Sequence, residues 1–273
     1  MIFHHEHFLD LPIYDFIEFD YFLFEAKAIG YHRKDLRDED GAYEMLASIV
    51  KLGPKARELG RLASKKARAK YNAIKEQFKE EGWNVILKLI SGEIDAVQAL
   101  ALLKPIFKKY YTDAFLLGFE SSGVANLVRK PKLDFIDKSL KEELKYLRKF
   151  LEDIQQGKGK MAYKRRWEMY VNTLDHVYYA GKVSMIPKTF VIDWVVDWSA
   201  ERCEGCRYLY MNSPYTIETL PTTPRAGMTP CLSNCKCKLR VRPPKSMEEF
   251  NLARSKNRHS MLAKLHQIKL AKG

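Results

Sequence analysis

The sequence predicts an α+β fold: a mainly helical body followed by a small, cysteine-rich β module near the C-terminal end. Three observations carry that reading. Apolar residues recur at helical spacing, between clear breakers, over most of residues 40–180. Past Pro187 the texture changes to β-branched and aromatic residues, in the run Thr189-Phe190-Val191-Ile192-Asp193-Trp194-Val195-Val196-Asp197-Trp198. All five cysteines then fall between Cys203 and Cys237.

Residues 1–26 form an acidic, aromatic arm. Glu6, Asp10, Asp15, Glu18, Asp20 and Glu25 alternate loosely with Phe8, Tyr14, Phe16, Phe19, Tyr21, Phe22 and Phe24, and the first Lys or Arg is Lys27. Good helix formers are scarce here, so the arm reads as short strands or extended chain. It is either an edge packed on its own domain or an arm docked on a basic partner.

The helical body covers residues 27–187. Asp40 caps a helix over residues 43–52, which Gly53-Pro54 closes. A basic helix follows, with Lys55, Arg57, Arg61, Lys65, Lys66, Arg68 and Lys70 around Leu59, Leu62, Ala63, Ala67 and Tyr71. The helical pattern continues over residues 83–90 until Ser91-Gly92 breaks it. Ser91 or Asp95 starts the next helix, through Leu103, and Pro105 opens a separate one through Phe119, since proline suits a first turn better than an interior. Gly118 and Ser121-Ser122-Gly123 mark its end. Residues 138–156 are amphipathic, and Gln156-Gly157-Lys158-Gly159 is a loop. The last body helix covers residues 163–180, buries Trp167, Tyr170, Val171, Leu174 and Val177, and stops at Gly181. In the module, residues 188–243, one strand leads into the first cysteine pair and a second passes through Leu239 and Val241 to Pro243-Pro244. Residues 244–273 are a basic helix or tail.

With 273 residues, 46% of them hydrophobic, the chain can bury a sizeable core. No run approaches the roughly 20 apolar residues of a membrane-spanning helix. The start MIFHHEHFLDLP lacks the basic residues and clean apolar stretch of a signal peptide, so folding in the cytosol is expected. A formal net charge of +13 favours polyanionic partners such as nucleic acid, with lysine-rich solubility as the alternative.

The cysteines follow the pattern C-x2-C, a spacer of 24 residues, then C-x3-C-x-C. An odd, crowded set in a reducing compartment points to metal before disulfides or free thiols. Zinc takes four such ligands at tetrahedral corners, and a C-x2-C turn aims two thiolates at one point. Cys203, Cys206, Cys231 and Cys235 are the best four by spacing; Cys237 shares a strand face with Cys235 and can replace Cys231 or Cys235. Ser213-Pro214, Pro221, Pro224 and Gly227 make the spacer an ordered excursion rather than a helix. No histidine lies between His176 and His259, so the all-thiolate site reads as structural, and His176 as a packing residue. Phosphate-cradling loops, nucleophile elbows and Cys/His nucleophile pairs are missing from the sequence, so no catalytic residue or small-molecule substrate is expected.

Three stretches resemble the Mu F-like minor head proteins of tailed phages, also called head morphogenesis proteins. Lys164-Arg165-Arg166-Trp167 through Tyr179-Ala180-Gly181 is similar to that family's last helix. Trp194-Val195-Val196-Asp197-Trp198 followed by Arg202-Cys203-Glu204-Gly205-Cys206 resembles its strand entering C-x2-C. Thr229-Pro230-Cys231-Leu232-Ser233-Asn234-Cys235-Lys236-Cys237-Lys238-Leu239 is similar to its closing signature, although the family histidine has no counterpart and Cys231 lies one residue away. The likeness covers residues 163–241. It implies a virion protein near the portal vertex that assists head assembly, DNA packaging or DNA delivery, with the portal or major capsid protein and packaged DNA as partners. The alternative is an intracellular zinc-containing protein that binds DNA without sequence preference.

The most one-sided charge lies at the C-terminal end. Lys236, Lys238, Arg240, Arg242, Lys245, Arg254, Lys256 and Arg258 are the candidate nucleic-acid contacts, opposed locally by Glu248 and Glu249. A terminal helix with Leu252, Leu262, Leu265 and Leu270 toward the body, its charges merely its wet face, is the competing reading.

Overall fold

The computed structural model describes residues 54–121, 133–159, 161–184, 186, 188–198 and 203–271, with the backbone alone over 54–65. The arm at residues 1–26 and the expected helix at 43–52 lie outside them. Among the described residues four long helices make the body: α1 (Pro54–Ile90), α2 (Ala96–Glu120), α3 (Asp134–Gln155) and α4 (Tyr163–Val183). After them come β1 (Val191–Val195), α5 (Glu204–Met211), a 3-10 turn over Leu232–Asn234, β2 (Lys238–Arg242), α6 (Met247–Arg254) and α7 (Arg258–Leu270). Among the described residues no helix is long and apolar enough to cross a membrane.

The basic helix and the 83–90 segment are one continuous helix, α1, on which Tyr71, Phe78 and Val85 recur every seven residues and face the core with Ile86 and Leu89. It ends at the expected break, where Gly92 takes a left-handed backbone. Asp95, rather than Ser91, caps α2 through a capping box, accepting from the Gln98 N–H at 2.7 Å while its own N–H donates to the Gln98 side chain at 3.0 Å.

Pro105 does not open a new helix; it lies inside α2. Ala101, whose carbonyl loses its partner, and Pro105 are both exposed, so water can take over the lost bond. Leu103 and Phe107 on either side are fully buried and keep the helix in one piece. On α4 all five residues expected to face inward do so. Trp167 packs against Phe78 (5.4 Å between ring centres) and Phe107 (5.9 Å), and its indole N–H donates to the Lys79 carbonyl at 2.9 Å.

Two glycines read as helix stops have a different task. Gly118 lies two residues inside the end of α2, and Gly181 two residues inside the end of α4. A Cβ on Gly118 would lie 1.9 Å from the Tyr178 carbonyl oxygen, and one on Gly181 2.0 Å from that of Phe115. The two helices therefore cross backbone to backbone, each lacking a side chain where the other passes.

Among the described residues the sheet has two strands, antiparallel, with Asp193 opposite Arg240 and Trp194 opposite Leu239. On its other side β1 exchanges backbone hydrogen bonds between Ile192 and Tyr215 (2.7 and 2.8 Å). β1 is therefore interior, and its residues from Val191 to Trp194 are buried. β2 alternates exposed Lys238 and Arg240 with buried Leu239. The C-terminal segment is two helices, not one. On these helices Phe250, Ala253, Met261, Leu265 and Ile268 are buried, whereas Leu252 and Leu270 are exposed, so only Leu265 of the leucines packs fully as expected. One continuous apolar core runs from Tyr71 on α1 to Leu265 on α7 and takes in Cys206, Cys235 and Cys237.

Replacing Gly118 or Gly181 by Ala forces these backbones apart. Each variant should lose stability at or above the upper end of the ~1–3 kcal/mol typical of overpacking. Urea unfolding read by circular dichroism checks this, with Gly92→Ala, where no atom lies within 4 Å of the added methyl, as the comparison for left-handed strain without a clash.

Candidate metal centre

The centre begins at a helix N-terminus. Cys203 caps α5, its sulfur accepting from the Cys206 backbone N–H at 3.4 Å, so both thiols of the C-x2-C pair face one point. That cap, followed by Glu204 in the first turn, is why the spacer opens with a helix through Met211 rather than with irregular chain. Gly205 permits a close approach: a Cβ there would sit 2.9 Å from the Pro230 ring. The Pro230 side thus closes onto α5 and brings Cys231 within 3.4 Å of Cys203 and 3.5 Å of Cys206, sulfur to sulfur. The 3-10 turn then carries the chain to Cys235, whose sulfur is 3.5 Å from that of Cys206. Cys237 follows at the mouth of β2, buried on the same side as Leu239.

All five cysteines come together as free thiols. Their sulfurs form two groups of three, Cys203–Cys206–Cys231 and Cys206–Cys235–Cys237, each with all sulfurs within 4.8 Å, and Cys206 belongs to both. Four sulfurs bound at about 2.3 Å to a tetrahedral ion lie about 3.8 Å apart. The observed separations match that edge and are far longer than the roughly 2.05 Å of a disulfide. The cluster can hold a metal ion.

The local chemistry favours thiolates. Hydrogen bonds from neighbouring thiols lower the pKa of Cys231 (from Cys203 and Cys206) and of Cys235 (from Cys206). Bonds from Cys206 and Cys235, helped by the Trp194 indole N–H, bring Cys237 down to about 4. Among the described residues that buried N–H has no full hydrogen-bond partner, so it acts on the Cys237 sulfur as a nearby dipole. Cys206 is raised instead, because it is the thiol that donates to its neighbours. A cation displacing that central proton would meet neighbouring sulfurs at Cys231, Cys235 and Cys237 that give up their protons more readily than a free thiol.

One side chain ties the centre to the body. Arg225, with a left-handed backbone (φ 66°), donates through Nε to the Cys235 carbonyl at 2.7 Å and through Nη1 to Asn172 at 2.8 Å and to Asp175. Asp175 lies on α4, 3% exposed, and also takes Lys75 at 2.6 Å and Arg68 at 3.6 Å. Burial pushes the Asp175 pKa up, but Arg225, Lys75 and Arg68 outweigh it and hold it below the usual carboxylate value. Sequence reasoning missed this network. Its signal was an acid between Leu174 and Val177 on the buried face of a helix. His176, beside it, is a packing residue: its ring meets Thr223 Oγ1 and the edge of Phe135, and burial lowers its pKa to about 4.

The candidate nucleic-acid residues divide. Lys236, Lys238, Arg240, Lys245, Arg254 and Arg258 are exposed. Arg242 is half-buried and gripped by Asp193 at 2.8 Å and Glu249 at 2.7 Å, and Lys256 donates to the carbonyls of Asn212 and Pro214 at 2.5 Å and lies over the Tyr215 ring. These two hold the fold together. Asp193, hidden until the strand register is known, also faces Arg240 at 2.8 Å, so the basic segment is opposed by more than Glu248 and Glu249.

In comparisons with protein-family models, curated proteins and solved structures, the chain matches none of them.

Asp175→Asn leaves Arg225, Lys75 and Arg68 crowded without their anion. At neutral pH it should cost about 3–5 kcal/mol, the size typical of breaking a buried pair on one side, measured by urea unfolding. A second test uses pH. Burial raises the Glu143 carboxyl to about 7, against the Thr173 hydrogen bond that lowers it. A raised carboxyl pKa means that stability falls as pH climbs from the unfolded value of about 4.3 toward 7. Melting temperatures across that range should fall less steeply in Glu143→Gln than in the parent.

Proposed function

We propose that the chain is a non-enzymatic structural protein whose cysteine centre holds one zinc ion, and that it serves as a minor head protein of a tailed phage near the portal vertex. The gathering of five sulfurs around Cys206, in two groups of three, is the observation that carries the metal part. Zinc is favoured by the donor chemistry: soft thiolates at tetrahedral spacing suit it, whereas magnesium and calcium require oxygen ligands. No histidine or carboxylate belongs to either group of sulfurs, which supports a structural ion over one that activates water.

The virion part rests on the resemblance of residues 163–241 to the Mu F-like minor head proteins. The stretches that carry it are α4, β1, the cysteine pair and the following group of three, and β2, neighbours in one core. A helical body with a metal-stiffened module clamped to it suits a part that must keep its shape while a capsid assembles around it. The portal or major capsid protein is then the expected partner, and packaged DNA the expected neighbour.

Protein purified without added metal should carry about one equivalent of zinc by elemental analysis. Cys206→Ser should abolish binding and lower the melting temperature sharply, because structural zinc contributes folding free energy directly. With five sulfurs for four positions, either Cys231→Ser or Cys237→Ser should retain the metal. Metal-free protein with an unaltered melting curve refutes the zinc assignment. Mass spectrometry of purified particles against host lysate tests the virion assignment independently, and a chain recovered only from lysate refutes it.

A further inference from the structure

Beneath the sheet lies the cysteine centre; above it lies a surface that the structural role leaves unused. Along β2 the side chains of Lys238 and Arg240 project away from the core, and Lys236, just before the strand, continues the row at the same two-residue spacing. The row leads to a cleft of about 450 Å³ lined by Trp194, Trp198, Tyr210, Met211, Arg240 and Lys245, among others. Three of the lining side chains are large, apolar and exposed: Trp198 (62%), Tyr210 (43%) and Met211 (78%). Trp198 and Tyr210 meet edge to face, with ring centres 5.4 Å apart, and both keep a large share of their surface toward solvent.

We infer that this cleft and the basic row of β2 bind single-stranded nucleic acid without sequence preference. Such binding needs cations that follow the phosphate backbone and aromatic faces on which unpaired bases stack. Both are present and adjacent: Lys236, Lys238, Arg240 and Lys245 supply charge, and Trp198 and Tyr210 supply stacking surface. Arg240 rests on Asp193 yet keeps a 67% exposed side chain, so the aspartate orients the guanidinium while leaving it open to a phosphate. In a duplex the base faces are already stacked and the exposed rings would have nothing to cover, so the aromatics select the single strand. An acidic peptide would use the cations but has no need of flat rings. The cleft volume falls within the roughly 300–1,000 Å³ of small-ligand sites, enough for a base with its phosphate. The inference depends on neither the identity of the metal nor a role in a virion.

The test uses the full chain as purified and two labelled probes of about 20 nucleotides, oligothymidine and a duplex, in anisotropy titrations at several salt concentrations. Oligothymidine should bind the more tightly and quench part of the tryptophan emission, through Trp198, since Trp167 and Trp194 are buried and the partly buried Trp83 does not line the cleft. Trp198→Ala and Tyr210→Ala change exposed side chains and should keep the parent's circular dichroism, yet each should weaken oligothymidine binding about five- to a hundredfold. Arg240→Ala, in which Asp193 retains Arg242, should weaken it and reduce the salt slope by about 0.7. A double variant of Arg258 and Lys264 to Ala, outside the cleft, should stay within about twofold of the parent. The inference is overturned if the duplex binds as well as the single strand and the aromatic variants change nothing. Equal loss in the control variant overturns it in favour of diffuse charge. An acidic peptide that displaces oligothymidine and loses affinity in Trp198→Ala overturns it in favour of a protein partner.

Discussion

The Asp175 carboxylate holds the architecture together. It is buried on the inward face of α4 and gathers Lys75 and Arg68 from α1 and Arg225 from the long spacer between the cysteine pairs. Through Arg225 it reaches the backbone of Cys235, so helical body and cysteine centre share one electrostatic knot. Such a knot is a poor source of net stability, because desolvating the charges consumes most of the attraction. Its value is positional. An apolar interface would let the spacer slide over α4, whereas a guanidinium that must meet a carboxylate, an amide and a carbonyl together fits in one register. The left-handed backbone at Arg225, which costs a non-glycine residue about 1–2 kcal/mol, is accepted where those three contacts fix its place.

The same division between rigid frame and positioned group recurs above the sheet. β1 is enclosed by β2 on one side and Tyr215 on the other, and its Asp193 pins Arg242, which Glu249 of α6 grips in turn. Lys256 ties the loop around Pro214 to the C-terminal helices, and Thr219 donates to the Ala253 carbonyl at 2.9 Å. These contacts consume some of the positive charge that composition alone would assign to a surface. Lys238 and Arg240 on the outer face of β2 remain exposed, as do Lys245, Arg254 and Arg258 beyond it.

Much of this was legible in the residues. The helical periodicity, the β-rich run after residue 188 and the crowding of cysteines each reflect a local rule, and each appears where it was expected. The departures have physical causes. Pro105 sits inside α2 because its ring and the carbonyl it orphans both face water, a fact about tertiary orientation. Gly118 and Gly181 look like helix stops in isolation, yet they mark a crossing that exists only once two helices are packed. The spacer opens with a helix because a cysteine took the capping role usual for Ser or Asp. The Asp175 network joins residues from Arg68 to Arg225, and no local pattern can join groups so far apart. The acidic arm and the helix expected at 43–52 lie outside the described residues.

The crowding of the five sulfurs also bears on chemistry that metal would suppress. Thiols 3.4–3.5 Å apart are a small movement away from bonding to one another, and an odd number can never all pair. Whichever disulfide an external two-electron oxidant formed in the bare protein, a neighbouring thiolate would remain to attack it and release another, and the bond would migrate around the cluster through successive exchanges. No single cross-link would persist as a staple. A bound cation shared among the sulfurs removes the attacking thiolate and ends that circulation, so the ion would act as a guardian against oxidative scrambling as well as a strut.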